Sequence, residues 1–320
     1  MMNKLAVISA FLGGVKNRYI QYHPNRTITE IIRAASGIDG IDGLELCYPA
    51  DFSDVPGLKK ALNDSGLGVS ALNVRTRRQE KWLRGSFTSP DPKERKEVAE
   101  EFKRAMDVAL ELGTDRLTTC PLNDGHDYVF EMNYFDGYRF AEETFSEICR
   151  YNPGVKICIE YKKNDPRTRC LFGSAGETLS FCQSVNEDNL GITLDIGHAL
   201  LSGERPAQSV ALIHRAGKLF YVHLNDNDRT WDWDMLPGAF HLLEFIEFHY
   251  FLKLAGYDNN WFAYDVFAKE VNLEDHFRLV AKLTRKIEHL TSKINDVEIS
   301  KLMDQRNPNK SIEYIYDNLF

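Results

Sequence analysis

Short apolar runs alternate with amphipathic stretches along nearly the whole chain. The runs are Leu5–Ala10, Gly43–Cys47, Gly68–Val74, Arg116–Cys120, Val155–Glu160, Gly191–Asp195, Leu219–Leu224 and Trp261–Val266. Runs this short, and apolar at most positions, suit strands of a parallel sheet buried on both faces. Helical patterns lie between them. Thr27–Ser36 opens on a Thr and sets Ile28, Ile31 and Ile32 on one side. Pro92–Leu112 follows a Ser-Pro-Asp-Pro start signal and stops at Gly113, and Leu242–Leu254 ends near Gly256. Leu273–Ile294 is long and charged on one face. Strands alternating with helices at this spacing predict βαβ units, and about eight of them favour a closed barrel over an open sheet. The expected fold class is therefore α/β, a (β/α)8 TIM barrel over residues 1–295, with a short C-terminal helical extension over 296–320. The aromatic ending of that extension, Tyr314, Tyr316 and Phe320, points to docking on the barrel or on a partner subunit.

Composition narrows the function classes. The chain has 320 residues with Lys+Arg 39 and Asp+Glu 47, a net charge of -8. That balance argues against nucleic acid or an anionic membrane as the main partner. Arg75-Thr-Arg-Arg78 is a local basic run, read either as a patch or as a solvated loop. The first residues lack the longer apolar run and cleavage site of a signal peptide, and no stretch approaches the ~20 apolar residues of a membrane span. The six cysteines, Cys47, Cys120, Cys149, Cys158, Cys170 and Cys182, form no CxxC pair. They read as reduced thiols of a cytoplasmic protein, mostly packed in or near the core.

In a barrel of this kind the active site gathers at the C-terminal ends of the strands. Four successive strands end on a potential metal ligand: Glu160, Asp195, His223 and Asp265. One acidic residue after a strand is usually a turn former or helix cap. Four at equivalent places form a set, and three carboxylates at one mouth would repel unless a cation sat among them. Three carboxylates and an imidazole suit Mn²⁺ first, with Mg²⁺, Co²⁺ and Zn²⁺ as alternatives. A second group lies beside the first. His198 follows Asp195 in Asp-Ile-Gly-His, where the Gly permits a tight turn back over the mouth. Asp232 and Asp234 form an Asp-x-Asp pair whose side chains point the same way in an extended loop. His198, Asp232 and Asp234 can hold a second cation that shares Glu160; the alternative is a solvated acidic loop. Lys162 points the same way as Glu160 in extended geometry and is the candidate to polarise a substrate oxygen, the alternative being an exposed loop lysine. His126 and Trp233 are the candidate substrate-contacting residues, with Phe11 and Trp231 at the same mouth.

These residues carry a resemblance. Ile159-Glu-Tyr-Lys162, Leu194-Asp-Ile-Gly-His198, Val222-His-Leu-Asn-Asp226, Trp231-Asp-Trp-Asp234 with Pro237-Gly238, and Tyr264-Asp265 resemble the xylose-isomerase-like TIM-barrel superfamily of sugar isomerases and epimerases. Gly43-Leu-Glu-Leu46 with Tyr48-Pro49 is a weaker match, and Gly85–Pro92 resembles the third-loop region of rhamnose-isomerase-like members. The resemblance implies a metal held by Glu160, Asp195, His223 and Asp265, and a mobile catalytic ion on the Asp-x-Asp loop. It also implies a small sugar as substrate. Strand eight offers Asp265 where single-metal ketose epimerases often have Glu, which argues against a paired-glutamate mechanism. The resulting expectation is a divalent-metal-dependent isomerase or epimerase of a small sugar, working by hydride shift, with Lys162, His198 and Asp234 in catalytic roles. No nucleic-acid or membrane partner is expected, and a homo-oligomer is an option. A metal-dependent lyase or decarboxylase of a sugar acid is the alternative within the fold. An abasic-site phosphodiesterase fits the charge less well.

Overall fold

The computed structural model describes residues 2–17, 20–77, 81–258 and 260–320, so Arg78 of the basic run lies outside the described residues. Eight strands form a closed barrel. They are β1 (Lys4–Ile8), β2 (Gly43–Tyr48), β3 (Gly68–Val74), β4 (Arg116–Thr119), β5 (Lys156–Glu160), β6 (Leu190–Asp195), β7 (Leu219–Leu224) and β8 (Trp261–Tyr264). Each pairs in parallel with its neighbours in chain order, and β1 closes the ring by pairing with β8 at Leu5 opposite Phe262 and with β2 at Ala6 opposite Gly43. The predicted runs and the observed strands differ by a residue or two at their ends. β1 stops at Ile8 because Ser9–Leu12 turns into a 3-10 helix, where Ser9 Oγ donates to Asp51 at 2.5 Å.

The outer layer follows from the helical patterns. α1 (Ile28–Ser36) starts in a reciprocal capping box: Glu30 N–H donates to the Thr27 hydroxyl and Thr27 N–H to the Glu30 carboxylate. Its Ile28, Ile31, Ile32 and Ala35 are buried. α2 (Val55–Ser65), α3 (Pro92–Glu111), α4 (Tyr134–Tyr151), α5 (Ala175–Val185), a short α6 (Ile196–Leu201), α7 (Pro206–Arg215), α8 (Leu242–Leu254) and α9 (Leu273–Ser292) complete the ring. α10 (Asp296–Gln305) and α11 (Pro308–Leu319) follow, with Ile299, Tyr314 and Leu319 buried in the same core, while Tyr316 and Phe320 stay exposed.

Two apolar zones result from strand periodicity. Outward residues such as Leu44, Leu72, Ile157, Leu194 and Val222 pack under the helices. Inward residues Ala6, Ile8, Cys47, Ala71, Cys158, Tyr221 and Ala263 form a smaller cluster inside the barrel. Alternation with period two fixes which side chains enter the barrel. Going up each strand by two, Cys158 leads to Glu160, Tyr221 to His223 and Ala263 to Asp265. The ligand candidates therefore share the inward face. Among the described residues no helix is long and apolar enough to cross a membrane.

Candidate metal centre

Glu160, Asp195, His223 and Asp265 each place one donor atom within 4.8 Å of the other three. Such a group fits one divalent cation, since hard carboxylate oxygens and an imidazole nitrogen converge from four adjacent strand ends. Glu160, Asp195 and His223 are buried. His223 Nδ1 lies 3.2 Å from Glu160 and 3.8 Å from Asp195, on the side of the ring that faces the other candidate ligands. Its Nε2 lies 2.9 Å from Glu45, a fully buried carboxylate in the middle of β2. Glu45 in turn accepts from Asn73 Nδ2 at 2.7 Å. A histidine whose far nitrogen donates to a carboxylate is fixed in tautomer and in aim, and its near nitrogen is the stronger ligand. Glu45 is thus placed to position His223 if the cluster holds a cation.

Asp195 is anchored twice. It caps α6, accepting from His198 N–H at 2.8 Å, and its second oxygen accepts from Asn225 Nδ2 at 2.9 Å. Asn225 also accepts from Gly197 N–H at 2.7 Å. A Cβ on Gly197 would come within 2.2 Å of the Asn225 carbonyl oxygen. This glycine therefore serves close packing inside a helix, and the expected tight turn is corrected: His198 reaches the mouth because α6 starts directly at Asp195.

The carboxyl and imidazole groups of the cluster shift one another's protonation. Burial pushes the Asp265 carboxyl up to about 8, with repulsion from Glu160 and Asp195 adding to it. Burial, Asp232 and Asp265 hold Asp234 well above the carboxylate range. Burial alone would lower His223, but Glu45 and Glu160 lift it well above the ordinary imidazole value. Burial likewise opposes protonation of His198, yet Asp195 and Asp232 bring it to about 9. Carboxyls that take up protons, beside imidazoles held charged, are what clustered buried negative charge produces.

The second group has a different form from the one expected. Asp232 is gripped by Lys162 Nζ at 2.7 Å and by His198 Nε2 at 3.2 Å. Lys162 also binds Asp165 at 2.9 Å, and Asp165 pairs with Arg77. Asp234 sits in the left-handed region at φ 51, so the Asp-x-Asp pair is not an extended segment. Both aspartates still reach the mouth because backbone bonds pin the loop: Asp226 pairs with Met235, and Phe267 N–H donates to Asp234 O at 2.7 Å. A cavity of about 1040 Å³ opens above the cluster, lined by Glu160, Lys162, His198, Asp232, Asp234 and Asp265. Phe11, Trp231 and Trp233 also line it, and the Trp233 Nε1–H donates to Asp228 at 2.9 Å. His126 is not among the lining residues. It sits on a short strand paired with Arg169, its ring edge-on to Tyr134 at 5.1 Å.

Sequence reasoning passed over Glu45, Asn73, Asn225 and Cys120 as site residues. A charged residue inside an otherwise apolar inward run was the available signal for Glu45. Cys120 had none, because a thiol after a strand reads as core. In the third-loop segment, buried Asp124 accepts from Ser86 and Thr88, from both backbone and hydroxyl of each, and so fixes the loop leading to α3.

With this geometry in hand, known proteins give an external comparison. The xylose isomerase of Thermus thermophilus is 27% identical over 201 residues, 59% of this chain. The match spans about half of that relative, 52% of its length. Among solved structures, a xylose isomerase domain protein from Alicyclobacillus acidocaldarius superposes with a TM-score of 0.70 at 16% identity, covering 91% of this chain and 100% of that one. A D-tagatose 3-epimerase-like protein gives 0.68 at 21% identity, over 89% and 98%. The E. coli 3-keto-D-glucoside 4-epimerase gives 0.65 at 14% identity, over 88% and 99%. Likeness at these identities speaks to the fold. The family described as xylose isomerase-like TIM barrel matches residues 32–287, most of the chain. The chain belongs to the xylose isomerase-like TIM barrel family.

Proposed function

We propose that this protein is a divalent-cation-dependent isomerase of a small sugar, with Glu160, Asp195, His223 and Asp265 as the ligands. One observation carries the reading: four donors from successive strands lie within 4.8 Å of one another, and two of them, Glu160 and Asp265, line a cavity large enough for a monosaccharide. The sugar isomerase and epimerases named among the similar proteins support the substrate class. Three carboxylates with one imidazole favour Mn²⁺, and Co²⁺, Mg²⁺ or Zn²⁺ fit the same donors less selectively. A bound cation supplies polarisation of adjacent substrate oxygens. His198 and the Asp232–Asp234 loop line the cavity mouth beside Glu160.

The protein's own groups then have distinct tasks. Burial opposes the charge on Lys162, but Asp232 and Asp165 hold its pKa well above the ordinary lysine value. A lysine kept charged is a donor and not a base, so Lys162 steadies a substrate oxygen. Trp233 and Phe11 present apolar faces to the carbon side of the sugar. Asp265 has a shorter reach than a glutamate, and Glu45 is committed to His223. No paired glutamates face the substrate among the described residues, so hydrogen moves between adjacent carbons as hydride. The test is turnover in D₂O on an active aldose. The proposal expects little solvent deuterium at the product carbon and transfer of a substrate label. Rapid solvent exchange there would replace the hydride shift with an enediol route.

A further inference from the structure

We propose that Cys120, Glu160 and His198 form a second cation site with a thiolate donor, adjoining the first through shared Glu160. The proposal rests on reading the Glu160 group as a cation site and goes beyond it in naming a soft donor. Each of the three residues offers one ligand atom, and these atoms lie within 4.8 Å of one another. Strand register explains the placement. Thr119 of β4 pairs with Ile159 of β5, so the next residues, Cys120 and Glu160, stand side by side at the rim. His198 arrives from the first turn of α6.

A second observation points to a ligand. His198 is 3% exposed, and its Nδ1 has no hydrogen-bond partner although it is buried. That atom lies 3.3 Å from Glu160 without forming a hydrogen bond and 4.0 Å from Asp195. A buried imidazole nitrogen without a partner is costly, and a cation would satisfy it. The other nitrogen is already taken by Asp232, which Lys162 neutralises. Cys120 alone among the six cysteines is not buried, and it lines the cavity, so an ion entering by the mouth reaches it. Coordination expels the thiol proton to solvent. The donor sets of the two sites then differ in kind. The first is three oxygens and one nitrogen, and the second includes sulfur. Thiolate selects Zn²⁺ or Co²⁺ over Mg²⁺ and Mn²⁺, so the paired sites would hold unlike ions.

Cobalt titration of the reduced, metal-free full chain tests this, read as ions bound per chain and as thiolate-to-cobalt charge-transfer absorption in the near ultraviolet. Two Co²⁺ are expected, one of them accompanied by the charge-transfer band. Cys120→Ser should remove the band and retain one tightly bound Co²⁺. Cys120→Ala serves if the serine variant does not fold. Two ions without the band, or a band that survives loss of Cys120, would overturn the thiolate site and leave the first site standing. A single ion without the band does the same. No bound cobalt at all would overturn the first site with it.

Discussion

The rim and the floor of the barrel are built from the same strands, two residues apart, and they handle buried charge in opposite ways. On β7, His223 at the rim stands among Glu45, Glu160 and Asp195. Tyr221 below it donates to Ser70 at 2.7 Å and lies under the Arg116 guanidinium, 4.8 Å from its ring centre. On β5, Glu160 sits above Cys158, which packs in the inner apolar cluster. The floor keeps its one buried arginine over an aromatic face and spends its remaining positions on packing. The rim gathers carboxylates that repel one another. A close-packed interior tolerates that repulsion only where a counter-charge completes it. On the proposed reading, the rim is the place where stability has been given up for binding.

Removing a rim ligand should break the contrast most. Asp195→Asn should weaken cation affinity by more than ~100-fold, beyond the upper end for losing an outer partner of a ligand. At a cation level 100 times the wild-type Kd, the native chain gains about 2.7 kcal/mol of stability. Thermal melting with and without Mn²⁺ should show that rise in the wild type and little of it in the variant. A full rise in Asp195→Asn would remove Asp195 from the ligand set.

Glu45→Gln sharpens the comparison by touching the rim from one layer back. The amide can no longer hold His223 in one tautomer. Cation affinity measured by calorimetry should fall by ~10–100-fold with the fold intact. An unchanged affinity would make Glu45 a packing residue like its floor neighbours.

Proton uptake at the rim gives the next effect. Asp265 and His198 have pKa values raised to about 8 and about 9 in the metal-free protein. Both bind protons more tightly folded than unfolded. The folded state therefore holds more protons between neutrality and pH ~9, and metal-free stability falls as pH rises through that window, by roughly 3–4 kcal/mol. A bound cation should flatten the fall. Denaturant midpoints at three pH values, with and without Mn²⁺, check both parts. Metal-free stability that rises with pH would contradict the charge assignment. The smallest effect belongs to the floor. Tyr221→Phe loses one hydrogen bond, costing ~1 kcal/mol, and should leave cation affinity unchanged.

The sequence made the barrel legible because strands buried on both faces must be apolar in short runs, and each run ended where its strand did, within about two residues. The four candidate ligands stand out in the sequence because they break those runs at equivalent places. Glu45 escaped because it breaks a run from within, and only the parity of β2 shows that it faces inward. The Asp-x-Asp geometry escaped because Asp234 adopts a left-handed conformation in a loop held by pairing of Asp226 with Met235 and by the Phe267 N–H on Asp234 O, contacts that the pair itself does not announce. His126 pairs with Arg169 in a small sheet with its ring against Tyr134, and it is not among the residues lining the cavity. Strand ends are local features, and loop conformations over the mouth are not.

The most direct measurement is sugar turnover by the chelated full chain before and after Mn²⁺ or Co²⁺ is restored, across free and phosphorylated aldoses and ketoses. The account predicts no conversion by the chelated protein, conversion of at least one sugar on restoring the cation, and none by Asp195→Asn under the same conditions. Conversion that proceeds unchanged after complete chelation, or in Asp195→Asn, would contradict it.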